Sequence, residues 1–179
     1  RDTYVQVEGH GLTKITHAYA YGGPQLAVKT LNTNLDLNIS EFVTVNFEAV
    51  ADAIDLMGGI EINIEQEELS QMNKYIKDTA NNLGETCPTL TSAGKQTLNG
   101  IQAVTYGRIR KTTGGDYKRT ERMRTVIMKA FEKEKKMDLG TLNQIIDSVL
   151  PKIQTNITTD SLLGLATQLI SYSITDSIG

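Results

Sequence analysis

The sequence predicts an α/β fold, because segments with the periodicity of strands alternate with segments with the periodicity of helices. Alternating residues predict strands over 3–7 and 42–47, and Ile60–Ile64 alternates most regularly, with one apolar and one polar face. Helical spacing of apolar residues over 24–35 and 48–57 separates these three strands. The order strand, helix, strand, helix, strand is typical of an α/β domain.

The boundaries of the elements follow from residues that favour the start or end of a helix. Pro24 suits the first position of the first helix, and Gly58-Gly59 ends the second. The remaining expected elements are a polar helix over 65–80, an irregular segment over 81–95, a short helix capped by Asn99, a long helix capped by Asp116, and helices over 139–150 and 160–172, the latter capped by Thr159 or Asp160. We expect the long helix to bury an apolar stripe formed by Met123, Val126, Ile127, Ala130 and Phe131.

Length and composition predict one globular domain over 1–179, since the chain is 39% hydrophobic. The net charge of -3 hides an asymmetry, because residues 106–136 carry a net charge of +7. One basic patch on an acidic body favours a local anionic ligand over general nucleic-acid binding. The absence of tryptophan and the 6% aromatic content also disfavour stacking platforms for single strands, so we expect no nucleic-acid partner.

Cysteine usage and hydropathy limit the possible settings of the protein. Cys87 is the only cysteine, so no internal disulfide can form. No stretch approaches the roughly 18 apolar residues of a membrane span. The chain begins at Arg1 without a methionine, and we interpret it as a fragment of a longer protein.

The clearest chemical signal is a segment rich in arginine, residues 106–124. The chain has six arginines, and five of them lie in this segment: Arg108, Arg110, Arg119, Arg122 and Arg124. Arginine presents a planar fork that grips oxyanions at two points. In an extended segment Arg108 and Arg110 would point to the same side, and Arg119 and Arg122 would flank the buried stripe near a helix N-terminus that favours anions. The segment therefore predicts a cage for phosphate or pyrophosphate.

A solvated basic surface is the alternative interpretation. It is our prediction for four lysines on the long helix: Lys129, Lys133, Lys135 and Lys136. For Arg108, Arg110 and Arg119 the residues alone leave both interpretations open.

Other polar residues carry weaker signals. His10 and His17 lack the partners and spacing of a zinc site, and we expect a structural or hydrogen-bonding role for His17. Asp52 and Asp55 are expected on the solvent side of their helix. Three glutamates, Glu65, Glu67 and Glu68, are expected to form a solvated first helical turn.

Several short stretches, taken together and in order, resemble the LytR-CpsA-Psr family. They are Arg1-Asp-Thr-Tyr-Val5, Lys14-Ile-Thr-His-Ala-Tyr-Ala-Tyr-Gly-Gly23, Asp55-Leu-Met-Gly-Gly-Ile60, Leu98-Asn-Gly-Ile-Gln-Ala103, Tyr106-Gly-Arg-Ile-Arg110, Gly115-Asp116 and Arg119-Thr-Glu-Arg122. The resemblance covers about residues 1–128. It implies a three-layer α/β/α sandwich around a mixed central sheet, with N-terminal strands missing from this chain and a family-variable excursion over 65–95.

The resemblance also implies an activity and a location. Members transfer a glycopolymer, such as teichoic acid or capsular polysaccharide, from a polyprenyl-pyrophosphate carrier to peptidoglycan through a phosphodiester, with Mg²⁺ as cofactor. They act on the extracellular face of a mostly Gram-positive cell membrane, at the lipid surface. An N-terminal transmembrane helix, absent from this chain, would anchor the protein there.

The resemblance further implies roles for individual residues. The pyrophosphate-binding arginines would be Arg1, Arg108, Arg110 and Arg119, with Arg122 and Lys14 as additional substrate-binding residues. Arg108 and Arg110 would also stabilise charge on the leaving phosphate, and Asp2 would act as a base or would only orient Arg1. No metal ligand is expected in this chain, because the family's aspartates would lie upstream. Two positions depart from the family pattern, since Met123 replaces a glutamine and Thr16 an asparagine.

These implications leave competing functions. The first is the wall-polymer transferase. A second is a pyrophosphatase that admits water in place of the sugar acceptor, and a third is a domain that binds polyprenyl pyrophosphate without turnover. A nucleic-acid-binding role would require affinity that falls steeply with salt.

Overall fold

The structure is a computed structural model that describes residues 3–135 and 137–168. The strands among them are β1 (Tyr4–Val7), β2 (Gly11–Lys14), β3 (Val43–Val45), β4 (Ile60–Ile64), β5 (Gly94–Leu98) and β6 (Ile153–Thr155). The helices among them are α1 (His17–Leu35), α2 (Phe47–Leu56), α3 (Gln66–Asn82), α4 (Gly100–Arg108), α5 (Gly115–Glu134), α6 (Leu139–Val149) and α7 (Thr159–Gln168), with a short 3₁₀ turn at Leu150–Lys152. Within the described ranges, no helix combines the length and apolarity needed to cross a bilayer.

The chain divides into two compact units. The first unit comprises Arg1–Thr44 and Gln154–Gly179, and the second comprises Val45–Ile153.

The first unit is built on a β1–β2 hairpin and helix α1. The strands are antiparallel, with Val7 opposite Gly11, and Val5 and Val7 point inward to form a small core with Ala18 of α1. Asn34 of α1 also holds the edge of β1, because its side chain both donates to and accepts from the backbone of Gln6.

Helix α1 is kinked near its N-terminal end. Gly22 and Gly23 are non-helical, and Gly23 has a φ of 63°, a left-handed conformation that favours glycine. Pro24 begins the longer segment after the kink, where the sequence predicted the whole helix to start. The helix therefore begins seven residues earlier than predicted, at His17.

The second unit contains the main core. β4 and β5 pair in antiparallel register from Ile60–Leu98 to Ile64–Gly94, and the three isoleucines of β4 face inward. These side chains pack with apolar residues of α2, α3, α4 and α5: Ile54, Met72, Ile76, Ala103, Tyr106 and Val126.

Helix α4 lies at the centre of this unit, and its first residue must be glycine. A Cβ on Gly100 would lie 2.1 Å from the backbone oxygen of Ala51 in α2. The backbone N–H of Gly100 donates to Asp55 Oδ1 at 2.8 Å. Asp55 therefore joins α2 to the start of α4, and its side chain is exposed, as predicted.

The predicted α/β class is confirmed. Among the described residues, the strands pair as three two-stranded sheets, β1–β2, β3–β6 and β4–β5. β5 was not predicted, because Leu98 is its one large apolar residue and the segment therefore lacks a hydrophobic alternation. For α7, Thr158 takes the capping role predicted for Thr159 or Asp160, since its hydroxyl accepts from Ser161 N. The end of the predicted helix over 160–172 lies outside the described residues.

Candidate functional site

The arginine segment folds as the end of α4, a connecting loop and the start of α5. We call residues 109–114 the arginine loop. Asn99 caps α4 and forms a capping box with Gln102, whose backbone N–H donates to Asn99 Oδ1 at 2.9 Å. The buried face of α4 continues to Gly107, so Arg108 is its last helical residue. The prediction of an extended Arg-x-Arg at Arg108 and Arg110 is therefore wrong.

Arg108 is exposed and lies across an aromatic ring. Its guanidinium carbon is 4.9 Å from the ring centre of Phe47, the first residue of α2. Its Nη1 also lies 3.5 Å from Thr79 Oγ1 of α3. These residues line a surface cleft of about 320 Å³ together with Asn46, Glu48, Asn82 and Leu83. The aromatic ring and the hydroxyl thus set the direction of an arginine that was predicted to bind pyrophosphate.

Arg110 and Arg119 meet at one carboxylate. Asp116 Oδ1 is 3.1 Å from Arg119 Nη2 and 4.0 Å from Arg110 Nε. The N-cap of α5 is Gly114, with a φ of 90°, and Asp116 lies in the first turn, so the prediction of Asp116 as the N-cap is wrong. Two guanidinium groups and the N-terminus of a 20-residue helix therefore converge around Asp116.

Arg119 is nearly enclosed by protein. Its side chain is 6% exposed, and its buried Nε has no hydrogen-bond partner. The buried residues of α5 are Arg119, Arg122 and Val126, whereas Met123 and Ile127 are 45% and 63% exposed. The predicted burial of Met123 and Ile127 is therefore wrong, and the arginines themselves form the buried face of the first half of α5.

Arg122 is held by three partners inside the unit. Its Nε donates to Glu68 Oε1 at 2.6 Å, its Nη1 to Ile109 O at 3.2 Å and its Nη2 to Thr112 Oγ1 at 2.5 Å. The Arg122 and Glu68 side chains are only 3% and 5% exposed. This geometry favours a structural role for Arg122, and its predicted contact with substrate stays a prediction.

The Glu68 carboxylate contacts both the start of α3 and helix α5. One carboxylate oxygen binds Arg122, and the other accepts from the backbone N–H of Glu65 at 2.9 Å, which caps α3. The prediction that Glu68 is solvated is wrong, because α5 brings a guanidinium against it.

Glu67 binds the arginine loop from the outside. Its Oε1 accepts from the backbone N–H of Thr113 at 2.7 Å and lies 3.3 Å from the Thr113 hydroxyl. Helix α3, which the sequence placed in a family-variable excursion, thus contacts the arginine loop through Glu67 and the start of α5 through Glu68.

Tyr106 lies beside this buried pair. Burial raises the pKa of Tyr106 to about 12, and the nearby Glu68 carboxylate adds to the increase, while Arg122 opposes it. The Arg122 guanidinium carbon is 6.0 Å from the Tyr106 ring centre. The phenol is therefore neutral at physiological pH and is not a base at this site.

The remaining predicted residues lie elsewhere. Lys14 is the last residue of β2, in the first unit. Arg1, Asp2 and Lys136 lie outside the described residues. His17 accepts or donates a hydrogen bond with Thr13 Oγ1 at 2.8 Å, which confirms its predicted hydrogen-bonding role.

Lys129 and Lys133, both predicted to be solvated, differ in their contacts. Lys129 pairs with Glu132 at the surface, at 2.8 Å. Lys133 instead donates to Gly58 O at 3.1 Å and Gly59 O at 2.5 Å. Lys133 therefore fastens α5 to the turn before β4, and its prediction as a purely solvated residue is wrong.

The sequence did not single out Phe47, Thr79, Thr112 or Thr113 as supporting residues. A partial signal existed at α3, because Glu65 and Glu68 are spaced as in a capping box. The contacts of Glu67 with Thr113 and of Glu68 with Arg122 have no local signal, since the partners are 46 and 54 residues apart.

Within residues 3–135 and 137–168, no group of three or more histidine, cysteine or acidic side chains could hold a metal ion.

Residues 1–176 match the sequence model of the LytR_cpsA_psr family. The chain is 31% identical to the polyisoprenyl-teichoic acid–peptidoglycan teichoic acid transferase TagT of Bacillus subtilis, over 99% of the chain and 53% of TagT. It is 33% identical to the TagU transferase of Oceanobacillus iheyensis, over 93% of the chain and 50% of TagU. The chain therefore spans about half the length of these curated relatives.

Solved structures support the same relationship. TagT bound to LI-WTA matches with a TM-score of 0.72 and 29% identity, over 96% of this chain and 60% of that chain. TagT with bound octaprenyl pyrophosphate lipid matches with a TM-score of 0.67 and 27% identity, over 96% of this chain and 59% of that chain. Since the family match extends over nearly the whole sequence and includes the arginine segment, the chain belongs to the LytR-CpsA-Psr family.

Proposed function

We propose that this chain provides the pyrophosphate-binding part of a phosphotransferase that attaches a glycopolymer to peptidoglycan. The carrier would be a polyprenyl pyrophosphate, and the product a phosphodiester. The observation that carries the proposal is the convergence of Arg110 and Arg119 on Asp116 at the N-terminus of α5. Related proteins are named as teichoic acid transferases, and one of them binds octaprenyl pyrophosphate lipid.

The chemistry assigns distinct tasks to the arginines. An acceptor hydroxyl of peptidoglycan attacks the phosphorus that carries the sugar, and the bond from this phosphorus to the bridging oxygen breaks. The lipid phosphate leaves with the negative charge, and the hydroxyl proton passes to a base. Arg108, Arg110 and Arg119 would bind the pyrophosphate oxygens and stabilise the charge that builds on the leaving phosphate.

Asp116 has a positioning role in this scheme. An isolated cluster of guanidinium groups would repel itself, and the carboxylate offsets part of this repulsion before the ligand arrives. The buried Arg119 has a fixed direction because protein surrounds it, whereas Arg108 and Arg110 are exposed and can close on the ligand. A dianionic pyrophosphate would compete with Asp116 for the same two arginines.

The setting and the cofactor also belong to the proposal. The protein would act at the lipid surface on the extracellular face of a Gram-positive cell membrane, to which it is anchored. Magnesium would share the neutralisation of the pyrophosphate when bound. Arg1, Asp2 and Lys14 remain proposed participants, with Asp2 as a base or as the residue that orients Arg1.

Titration calorimetry with a short-chain prenyl pyrophosphate and the matching monophosphate, with and without magnesium, tests this proposal. We expect the pyrophosphate to bind more tightly, and Arg119→Ala to weaken its binding by roughly tenfold or more, since a charge-assisted hydrogen bond contributes about 1.5–3 kcal/mol. Lys129→Ala removes the same charge from the exposed side of α5 and serves as the control. Equal affinity for the two ligands, or equal effects of the two substitutions, would contradict the proposal.

A second candidate function is binding or hydrolysis of the carrier without attachment to the wall. Met123, one turn after Arg119, favours it, because a 45% exposed thioether stands where the family has an amide that could contact the head group. Incubation with lipid-linked glycopolymer and peptidoglycan distinguishes the two. A phosphodiester-linked product supports transfer, and free phosphorylated polymer supports hydrolysis.

A further inference from the structure

The arginine loop has little in its own sequence to hold one conformation. It runs Ile109-Arg-Lys-Thr-Thr-Gly114, and Gly114 and Gly115 both have positive φ values. Glycine broadens the range of accessible backbone conformations, so ordering such a loop costs conformational entropy. Arg110 would therefore lose part of its binding free energy if the loop became ordered only when the ligand bound.

A residue outside the loop, Glu67 of α3, holds the loop by a hydrogen bond. The Glu67 carboxylate accepts the backbone N–H of Thr113 at 2.7 Å. A hydrogen bond to a charged acceptor is shorter and stronger than a neutral one. A backbone turn bond from Gly115 N–H to Thr112 O, at 3.1 Å, lies beside this contact. Glu67 thus attaches the arginine loop to α3 at Thr113.

Glu68 acts on the arginine loop indirectly, through Arg122. The guanidinium of Arg122 contacts Ile109 O and Thr112 Oγ1, which lie on either side of Arg110 and Lys111. Glu68 sets the orientation of this guanidinium through the bond to Nε. The loop is therefore attached at Ile109, Thr112 and Thr113, and Arg110 lies between the first two of these points.

We propose that Glu67 and Glu68 are positioning residues, which order the arginine loop so that Arg110 is in place before the anionic ligand arrives. This inference rests on the proposed pyrophosphate-binding function. Neither carboxylate touches the ligand, and their effect passes through the backbone of the loop and through Arg122.

The proposal and simple electrostatics predict opposite changes in ligand affinity when the Glu67 carboxylate is removed. A carboxylate near an anion site repels the ligand, so its removal should strengthen binding if charge alone mattered. If Glu67 orders the loop, its removal should weaken binding instead, because the ligand must then supply the ordering free energy. The direction of the change separates the two explanations.

The test compares three single substitutions in this chain. Glu67→Ala removes the acceptor, Glu67→Gln keeps an oxygen acceptor without the charge, and Glu61→Ala is the matched control. Glu61 is an exposed residue of β4 that pairs with Lys95, so its removal changes the net charge equally without touching the loop. Amide hydrogen exchange at Thr113 reports the loop, and calorimetry with a prenyl pyrophosphate reports binding.

We expect Glu67→Ala to accelerate exchange at the Thr113 amide and to weaken pyrophosphate binding by about three- to tenfold. Glu67→Gln should keep most of the parent's protection at the Thr113 amide and most of its affinity for pyrophosphate. Glu61→Ala should leave exchange at Thr113 unchanged. All three proteins should keep the thermal stability of the parent within a few degrees, since both glutamates are exposed.

Two results would overturn the inference alone. The first is unchanged exchange at Thr113 in Glu67→Ala, and the second is faster exchange with unchanged or tighter pyrophosphate binding. Failure of the parent chain to bind pyrophosphate at all would instead overturn the proposed function, and this inference with it. Glu68→Gln extends the test to the buried carboxylate, and faster exchange at the Thr113 and Gly115 amides is the expected result.

Discussion

Both halves of α5 carry basic side chains but place them in different surroundings. In the first half, Gly115–Arg124, Arg119 and Arg122 are buried and directed by carboxylates. In the second half, Thr125–Glu134, Lys129 is 43% exposed and pairs with a neighbour on the same helix. A buried guanidinium needs partners for its donors, whereas an exposed ammonium is solvated by water. Burial and partners, and not the number of charges, therefore distinguish the site from the surface.

The largest expected difference between the halves is in stability. Arg122→Met leaves Glu68 buried without a counterion, which should lower the free energy of unfolding by about 3–5 kcal/mol. Lys129→Met should cost about 0–1 kcal/mol, the range of exposed ion pairs. Denaturant unfolding of the two variants provides the measurement, and equal stabilities would remove the distinction between the halves.

A double variant locates the origin of that cost. Arg122→Met combined with Glu68→Gln removes both charges and should recover part of the lost stability. No recovery would assign the cost to the lost contacts with Ile109 and Thr112.

A second, smaller effect concerns pH. The folded pKa of Tyr106, about 12, exceeds its ordinary value of 10.0. Between these values the unfolded state releases the phenolic proton more readily, so stability present below pH 10 is lost as the pH rises through 12, by about 2 kcal/mol. Tyr106→Phe should lack this loss, which also controls for the lysines that titrate in the same range. Unfolding measured across this pH range would contradict the assignment if the parent and Tyr106→Phe curves stayed parallel.

The smallest expected effect concerns Lys133, which lies in the second half of α5 but bonds to the turn before β4. Lys133→Met keeps the aliphatic stem but loses the bonds to Gly58 O and Gly59 O, so we expect a cost of about 1 kcal/mol. Lys129→Met is again the control. If both substitutions cost the same, the second half of α5 is uniformly solvated, as the sequence predicted.

Much of the fold could be predicted because its signals are local. The alternation of Ile60–Ile64 predicted β4 with its correct bounds, and the Asn99 cap predicted the start of α4. β5 could not be predicted, because its strand character depends on pairing with β4 and not on its own residues. The kink at Gly22 and Gly23 was also missed, since a helix with a Gly-Gly-Pro interruption can equally begin at the proline.

The site was predicted only in part. Clustering of arginine identified residues 106–124, and the structure brings Arg110 and Arg119 together at Asp116. The pattern could not show that Arg108 belongs to a helix and lies on Phe47, because that contact joins α4 to α2. The predicted apolar stripe of α5 was wrong at Met123 and Ile127. The helical period would allow these residues on the buried face as well as it allows the arginines.

The sequence by itself determined the α/β class, the membership of the family and the location of the arginine segment, because composition, periodicity and motif spacing are properties of the chain alone. Only the tertiary structure decided which charges are buried and what holds them. Glu68 has the local pattern of a solvated helix start, and it became half of a buried ion pair because α5 places Arg122 beside it, 54 residues further along the chain. Desolvation and pairing depend on such distant neighbours, and no local pattern in the sequence encodes them.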